Sequence, residues 1–191
     1  MAVSAHAIAA ALRERLPNLA AVKLQKLLYY CQGHHLAHFG EPLFSETISA
    51  WDMGPVVPSV WHEDRQGPPP EERDMVRPPL DEAALNTVGY IVSRYGVMTG
   101  RELSILSHGE APWQRANERR ESGGSARIEL DWIKLYFQEA ELADREGEAQ
   151  FDPAEIAEIA SGAVERARQR EGQTATPDSL EDVLAWAHRV A

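Results

Sequence analysis

Capping residues and helix-stop residues divide most of this chain into segments with helical periodicity, and this pattern restricts it to a mainly α fold. The clearest segment begins after Asn18, which can cap a helix, and runs to about Phe39, with Gly40 just past its end. Its apolar positions recur every three or four residues, which predicts one buried stripe along the helix. The stripe consists of Leu24, Leu27, Leu28, Cys31 and His35.

The same signals predict further helices along the chain. Thr99 and Glu102 have the three-residue spacing of a capping box, so a helix is expected to start there and run through about Ser107. Asp152 and Pro153 give a strong start signal near the C-terminus. The other predicted helices lie at 1–17, from Pro58 through Trp61, from Asp81 to Tyr95 (Leu85, Val88, Val92 and Tyr95 inward, Gly96 as the stop), from Pro112, at 129–144 and from Thr176-Pro177.

One short segment has a different pattern. Residues 41–51, EPLFSETISAW, are partly alternating, which predicts a small β-hairpin or extended arm. The Gly54-Pro55 pair is expected to stop it, because proline fixes its own φ and disfavours helical geometry in the residue before it. The predicted fold is therefore mainly α, a compact helical domain with one small β-hairpin or arm, plus C-terminal helices.

Charge is unevenly distributed, and this predicts two regions. From Glu139 to Ala191 there are thirteen Asp or Glu against five Arg, whereas the whole chain of 191 residues has a net charge of −11. We therefore predict a helical domain at 1–142 and an acidic helical extension at 143–191. The acidic balance argues against nucleic acid as a partner and favours a basic protein.

Other bulk features indicate a cytoplasmic protein. No run of eighteen apolar residues is present, so no membrane segment is expected. The N-terminal residues are typical of a short amphipathic helix rather than of a secretion signal. Cys31 is the one cysteine, which excludes an internal disulfide and fits a reducing compartment.

Two groups of residues suggest chemistry, and each has a simpler interpretation. His34, His35 and His38 lack the further ligands that a zinc site needs, and the helix dipole favours histidine near a helix end. Ser107, His108 and Glu110 are too close in sequence to form a nucleophilic triad, so we expect His108 to bond to backbone and pack on Trp113. No metal, no cofactor and no catalytic residue is predicted.

Lys23, Lys26 and Tyr30 fall on the helix face opposite the leucines. This face is either an ordinary solvated surface, with lysine stems lying along apolar neighbours, or a contact surface for a protein partner. Periodicity by itself does not separate the two interpretations.

Several separated motifs then resemble the Panacea domain family. They are KLQKLLY at Lys23 to Tyr29, PLFSETISAW at Pro42 to Trp51, GPVVP at Gly54 to Pro58, and LSHGEAPW at Leu106 to Trp113. They stand in the order that the family shows, and the resemblance covers roughly residues 19–137, without the acidic tail.

The resemblance implies an antitoxin that binds and neutralises a toxin encoded by an adjacent gene, such as an alarmone-synthetase-like translation inhibitor, with a role in phage defence. It implies no enzymatic activity, and it leaves open a homodimer or a heterotetramer with the toxin. On this hypothesis the leucine side of the first helix is core, the arm is pinned by Trp51 and Gly54-Pro55, and the Lys/Tyr side presents a surface. The candidate structural or partner-contact residues are Lys23, Gln25, Lys26, Tyr29, Tyr30, Trp51, Gly54, Pro55, His108 and Trp113.

Alternatives remain at this point. Either the folded body or the acidic tail could contact the toxin, and the antitoxin could also act as a proteolytic adaptor. A hydrolase would use His108, Glu110 and the histidines of the first helix, converging in one polar pocket. A transcriptional regulator would need a basic helix-turn-helix face, for which residues Arg115 to Arg120 are the one candidate.

Overall fold

The computed structural model describes residues 3–67, 79–121 and 123–148, with side chains through residue 144. These residues form seven helices and three short strands, and the predicted mainly α fold is confirmed. The elements in chain order are α1 (Ala5–Arg15), α2 (Ala21–Phe39), β1 (Ser49–Trp51), β2 (Gly54–Val56), α3 (Pro58–Gln66), α4 (Glu82–Tyr95), α5 (Gly100–His108), α6 (Ala111–Glu118), β3 (Ala126–Arg127) and α7 (Leu130–Glu148).

Helix α2 lies at the centre of the fold. The thirteen consecutive residues from Leu24 to Leu36 are all buried, and α1, α3, α4, α5 and β2 contact this helix. The predicted stripe from Leu24 to His35 is buried as expected, but the predicted solvent-facing side is wrong. An apolar stripe predicts an exposed opposite face only when neighbouring elements cover one side of the helix. Here neighbouring elements surround α2.

The buried polar residues of α2 have partners inside the protein. Gln32 shows this best, because its Nε2 donates to the Phe44 carbonyl at 3.0 Å while its Oε1 accepts from the backbone N–H groups of Leu43 and Phe44 at 3.1 and 3.2 Å. The amide thus fixes the arm against α2 in the way that a neighbouring strand would. Leu43 also accepts from Val3, so the N-terminus joins the same arrangement.

The β element is a three-stranded antiparallel sheet in the order β2-β1-β3. The predicted hairpin or arm at 41–51 contains β1, but the prediction that Gly54-Pro55 stops the strand pattern is wrong. Asp52 and Met53 turn the chain back, Gly54 follows as the first residue of β2 with φ of +100°, and Pro55 lies within β2 opposite Ala50. Proline is accepted there because β2 is an edge strand. The third strand was not predicted, since two residues carry no periodicity.

Most helix boundaries follow the sequence signals. Thr99 and Glu102 form the predicted capping box, and Gly40 ends α2 in the left-handed conformation with φ of +80°. Asp81 caps α4, which ends before Gly96. Asn18 was wrong as a cap, because its own φ is +61° and α2 begins only at Ala21.

Two other differences concern the length of a helix and the exposure of a residue. Helix α3 runs past Trp61 to Gln66, and Leu85, predicted to face inward, is exposed on α4.

The predicted helices from Pro153 and Pro177 lie outside the described residues. The chain divides into two units, Met1–Ala143 and Asp144–Ala191, and the contacts named here lie in the first. The predicted boundary between 142 and 143 stays a prediction. Within the described range, no helix combines the length and apolarity that crossing a bilayer requires.

We predict that Gln32→Leu destabilises the domain by about 2–4 kcal/mol, because the Leu43 and Phe44 backbone groups lose their buried partners. Urea unfolding at neutral pH measures this change. Gln114→Leu is the matched control, because Gln114 makes one exposed hydrogen bond, and its replacement should change stability by less than about 1 kcal/mol. Equal effects of the two substitutions would contradict the assigned role of Gln32.

Candidate functional site

Side chains from three distant sequence segments meet beside the middle of α2. Lys26 Nζ donates to the Pro55 carbonyl at 2.9 Å, which joins α2 to β2. The Tyr30 hydroxyl donates to Glu110 Oε1, also at 2.9 Å, which joins α2 to the start of α6. We call the resulting group the polar cluster; it consists of Lys26, Tyr29, Tyr30, Gly54, Pro55, Ser107 and Glu110.

Lys26 is a buried cation in this cluster. The residue is 1% exposed, and burial lowers the pKa of its ammonium group to about 7. Within the described part of the chain no carboxylate forms an ion pair with Lys26. Its hydrogen bond goes to the Pro55 carbonyl. A buried charge without a counter-ion is costly, and the lowered pKa follows from this cost.

Glu110 is the buried acid of the cluster. Burial raises the pKa of its carboxyl group to about 7, and the hydroxyls of Tyr29 and Tyr30 oppose that shift. Burial, and after it the Glu110 charge, raises the pKa of both tyrosines well above the ordinary value. The Glu110 Oε2 atom and the Tyr29 hydroxyl are buried without a hydrogen-bond partner among the described residues. Near neutral pH the cluster therefore holds one acid and one base that are each only partly charged.

Gly54 lets β2 pass close to α2 and α5. A Cβ atom at this position would lie 2.9 Å from Lys26 Cε and Nζ and 3.0 Å from Ser107 Oγ. The left-handed φ of +100° adds a second reason for glycine. The Ser107 hydroxyl donates to the Ser104 carbonyl at 3.1 Å, so it is oriented within its own helix.

The end of α5 packs on the sheet through aromatic rings. His108 and Trp113 have ring centroids 4.1 Å apart, and Trp113 Nε1 donates to the Trp51 carbonyl at 3.3 Å. Desolvation and then the Lys26 charge lower the pKa of His108. Its Nε2 is buried without a hydrogen-bond partner among the described residues. The expected packing of His108 on Trp113 is confirmed, whereas its bond to backbone stays a prediction.

A cleft of about 510 Å³ opens next to the polar cluster. Trp51 and Trp61 form one part of its wall, with ring centroids 6.0 Å apart, and Met53 at its edge is 58% exposed. We call it the Trp51 cleft. Its full lining is Val22, Gln25, Lys26, Trp51, Asp52, Met53, Val56, Trp61, Arg120, Gly123, Gly124 and Ser125.

The structure changes how several candidate residues are interpreted. Lys26 and Tyr30 were expected on a presented surface, and this is wrong. Both are buried, because β2 packs on α2 at Lys26 and the Tyr30 ring stacks on Tyr95 of α4. Lys23 is half-buried and donates from Nζ to the Gly96 carbonyl at 2.6 Å. Gln25 is buried and accepts from the Val57 N–H at 2.7 Å.

Trp51 is half-buried rather than a core residue, with its Nε1 donating to Ser125 Oγ at 3.0 Å. Trp51 lines the cleft, and its hydrogen bond to Ser125 joins β1 to the loop before β3. The interaction of any of these ten residues with a partner stays a prediction.

The histidines of α2 point to different neighbours. His34 contacts the Tyr95 hydroxyl through Nε2 at 3.0 Å and Glu141 through Nδ1 at 3.2 Å. His35 Nδ1 lies 2.8 Å from Thr87 Oγ1 on α4. Across residues 3–67, 79–121 and 123–148, no three His, Cys, Asp or Glu side chains gather as metal ligands do.

Sequence reasoning missed several residues of the site. Met53, Trp61 and Arg120 line the cleft although they stand outside the predicted set. Trp61 and Met53 flank the GPVVP motif in sequence, which was a usable signal. Arg120 comes from a segment far along the chain, and pairing between β1 and β3 brings that segment close.

Comparisons with known proteins agree with the motif pattern. Residues 24–114 match the family described as "Antitoxin SocA-like, Panacea domain", and the predicted resemblance is confirmed. Antitoxin SocA of Caulobacter vibrioides (strain NA1000 / CB15N) is 32% identical over an alignment of 119 residues; the match covers 55% of this chain and 62% of that protein. The chain thus spans less than two thirds of the length of this curated relative. No solved structure matches the chain significantly.

We predict that Gly54→Ala lowers the free energy of unfolding by about 2–4 kcal/mol, because the new methyl group meets Lys26 and Ser107 in a strained backbone. Gly67→Ala is the control: its φ is also positive, at +79°, but no atom of the described residues lies near the added methyl group, so that about 1 kcal/mol is expected. Thermal and urea unfolding of both variants measure the difference. A loss at Gly54 no larger than that at Gly67 would refute the close approach.

We also predict a minimum of stability near pH 7 from the two buried ionisable groups. The folded-state pKa of Glu110 is raised from 4.5, so its stabilising contribution is lost as pH rises towards 7. The folded-state pKa of Lys26 is lowered from 10.5, so its contribution is lost as pH falls towards 7. A pKa difference of one corresponds to about 1.4 kcal/mol, and each arm should amount to roughly 2–4 kcal/mol.

Urea unfolding between pH 5 and 9 measures this profile. Glu110→Gln should flatten the arm below pH 7, and Lys26→Met should flatten the arm above it, while each variant keeps the other arm. Identical profiles for the wild type and both variants would show that neither group titrates as described.

Proposed function

We propose, starting from the match of residues 24–114 to the Panacea domain family, that this chain is an antitoxin that neutralises a cognate toxin by binding it directly. The observation that carries the proposal is that match together with the similarity to Antitoxin SocA. The family motifs also have a common physical role in this fold, since they supply both the polar cluster and the wall of the Trp51 cleft.

The contacts of the motif residues support binding rather than catalysis. Ser107 donates to a backbone carbonyl instead of to His108, and Glu110 is buried behind the Tyr30 hydroxyl. A nucleophile needs a base within hydrogen-bonding reach and an open path for substrate. The side chains that the hydrolase hypothesis would use serve the packing of α5 and α6 on α2.

The toxin is proposed to be the product of an adjacent gene, with an alarmone-synthetase-like inhibitor of translation as the specific candidate. Two routes to neutralisation are consistent with the sequence. In one, the folded body covers a functional surface of the toxin. In the other, the acidic region from 143 to 191 does so, and its charge would speed encounter with a basic toxin.

Co-expression with the neighbouring gene product tests the proposal. We expect the full chain to restore growth, to restore incorporation of labelled methionine if the toxin blocks translation, and to co-purify with the toxin. A version ending at Glu148, the last residue of α7, separates the two routes, provided that circular dichroism and thermal unfolding show it to be folded.

Rescue by both forms assigns the contact to the body, and rescue by the full chain alone assigns it to the acidic region. A matched control is Gly67→Ala, which lies outside the polar cluster and the Trp51 cleft and should lower rescue only in proportion to its small loss of stability. A harmless neighbour that does not bind the full chain would overturn the antitoxin proposal.

A further inference from the structure

We propose that the Trp51 cleft receives a peptide segment of the toxin in which a carboxylate side chain stands next to a bulky apolar side chain. This inference rests on the proposed function and adds to it a place of contact and the chemistry of the partner. Charge complementarity and the unpartnered groups of the cleft carry the argument.

The apolar part of the cleft has the composition of an interaction site. Trp51 and Trp61 are each half-buried, and Met53 projects at the edge of the cleft with 58% exposure. Trp and Met are enriched at protein interfaces, and a concave site of this size fits one or two large side chains. An apolar side chain from the partner would cover the three residues at once, which explains why they stay partly open to solvent here.

Two buried polar groups of the cleft are incompletely paired among the described residues, although the lining also holds the exposed carboxylate of Asp52. Lys26 lines the cleft, is buried, and has no carboxylate partner in the described chain. Gln25 also lines it, and its Nε2 is a buried donor without a partner among the described residues. A carboxylate from the partner would be a counter-ion for the Lys26 ammonium group and a hydrogen-bond acceptor for the Gln25 amide. One contact would therefore pair both groups.

Arg120 holds the wall of the cleft in place through bonds within this chain and is not the residue expected to bind the partner. Its guanidinium lies 2.5 Å from Asp52 Oδ1 and donates to Asn117 Oδ1 and to the Gly124 carbonyl, both at 3.1 Å. Each of its three nitrogens thus has a protein partner, and the bond to Gly124 holds residues 123–125 beside the cleft. A partner carboxylate is therefore expected to pair with Lys26 and not with Arg120.

Exposed and buried variants test the proposal in the full chain. Met53→Glu places a negative charge at the edge of the cleft, where it would repel the partner carboxylate without disturbing the core. Lys26→Met removes the cation and keeps an apolar side chain of similar length. Leu135→Glu is the matched control, because Leu135 is 51% exposed on α7 and does not line the cleft.

The readouts are growth rescue and the Kd for the purified toxin, with melting temperatures recorded for every variant. We expect Met53→Glu and Lys26→Met to stay folded and to raise the Kd by about 10-fold or more, and Leu135→Glu to leave it unchanged. Overlapping twelve-residue peptides that tile the toxin, each made also with amide in place of carboxylate, then identify the bound segment. The acidic form should bind at least about 10-fold more tightly.

The failures are distinguishable. If the wild type neither binds nor neutralises the toxin, the proposed function itself fails. If the wild type neutralises it and folded Met53→Glu and Lys26→Met do so equally well, the cleft assignment is wrong while the antitoxin function stands. If Met53→Glu converts a wild-type dimer into a monomer in light scattering and leaves toxin binding unchanged, a second copy occupies the cleft, which also overturns the proposal.

Discussion

The burial of α2 on all sides is the constraint on which the rest of the structure depends. Leucines can meet such burial by contact alone, but Gln25, Lys26 and Gln32 have polar groups that need partners inside the protein. Gln32 forms hydrogen bonds with the backbone of the arm, Gln25 with the backbone just before α3, and Lys26 with a carbonyl of β2. The polar side chains of one helix therefore decide where three neighbouring segments lie.

The same contacts join the motifs into one functional unit. Tyr30 connects α2 to Glu110, and Trp113 connects α6 to the carbonyl of Trp51, so that the sheet, α5 and α6 have a fixed relation to the central helix. The site made in this way is stable but incompletely neutralised. Its ammonium group has no counter-ion among the residues that the structure describes.

Residues that resemble an active site make packing contacts and hydrogen bonds within the fold. His108 packs on Trp113, Ser107 bonds within α5, and the α2 histidines contact Tyr95 and Thr87 on another helix. Perturbed pKa values at Glu110 and Lys26 arise from burial, which has the same effect whether or not a reaction takes place.

The sequence by itself determined most of the helix boundaries and the family resemblance. The Thr99 capping box, Gly40 and Asp81 act through bonds within a few residues, so local patterns suffice to predict them. Tertiary structure alone decided that Lys26 and Tyr30 are buried, that β3 joins β1, and that Arg120 faces Trp51 in one cleft. Periodicity tells which residues share a face of a helix, whereas the number of partners around that helix depends on contacts between residues far apart in the chain.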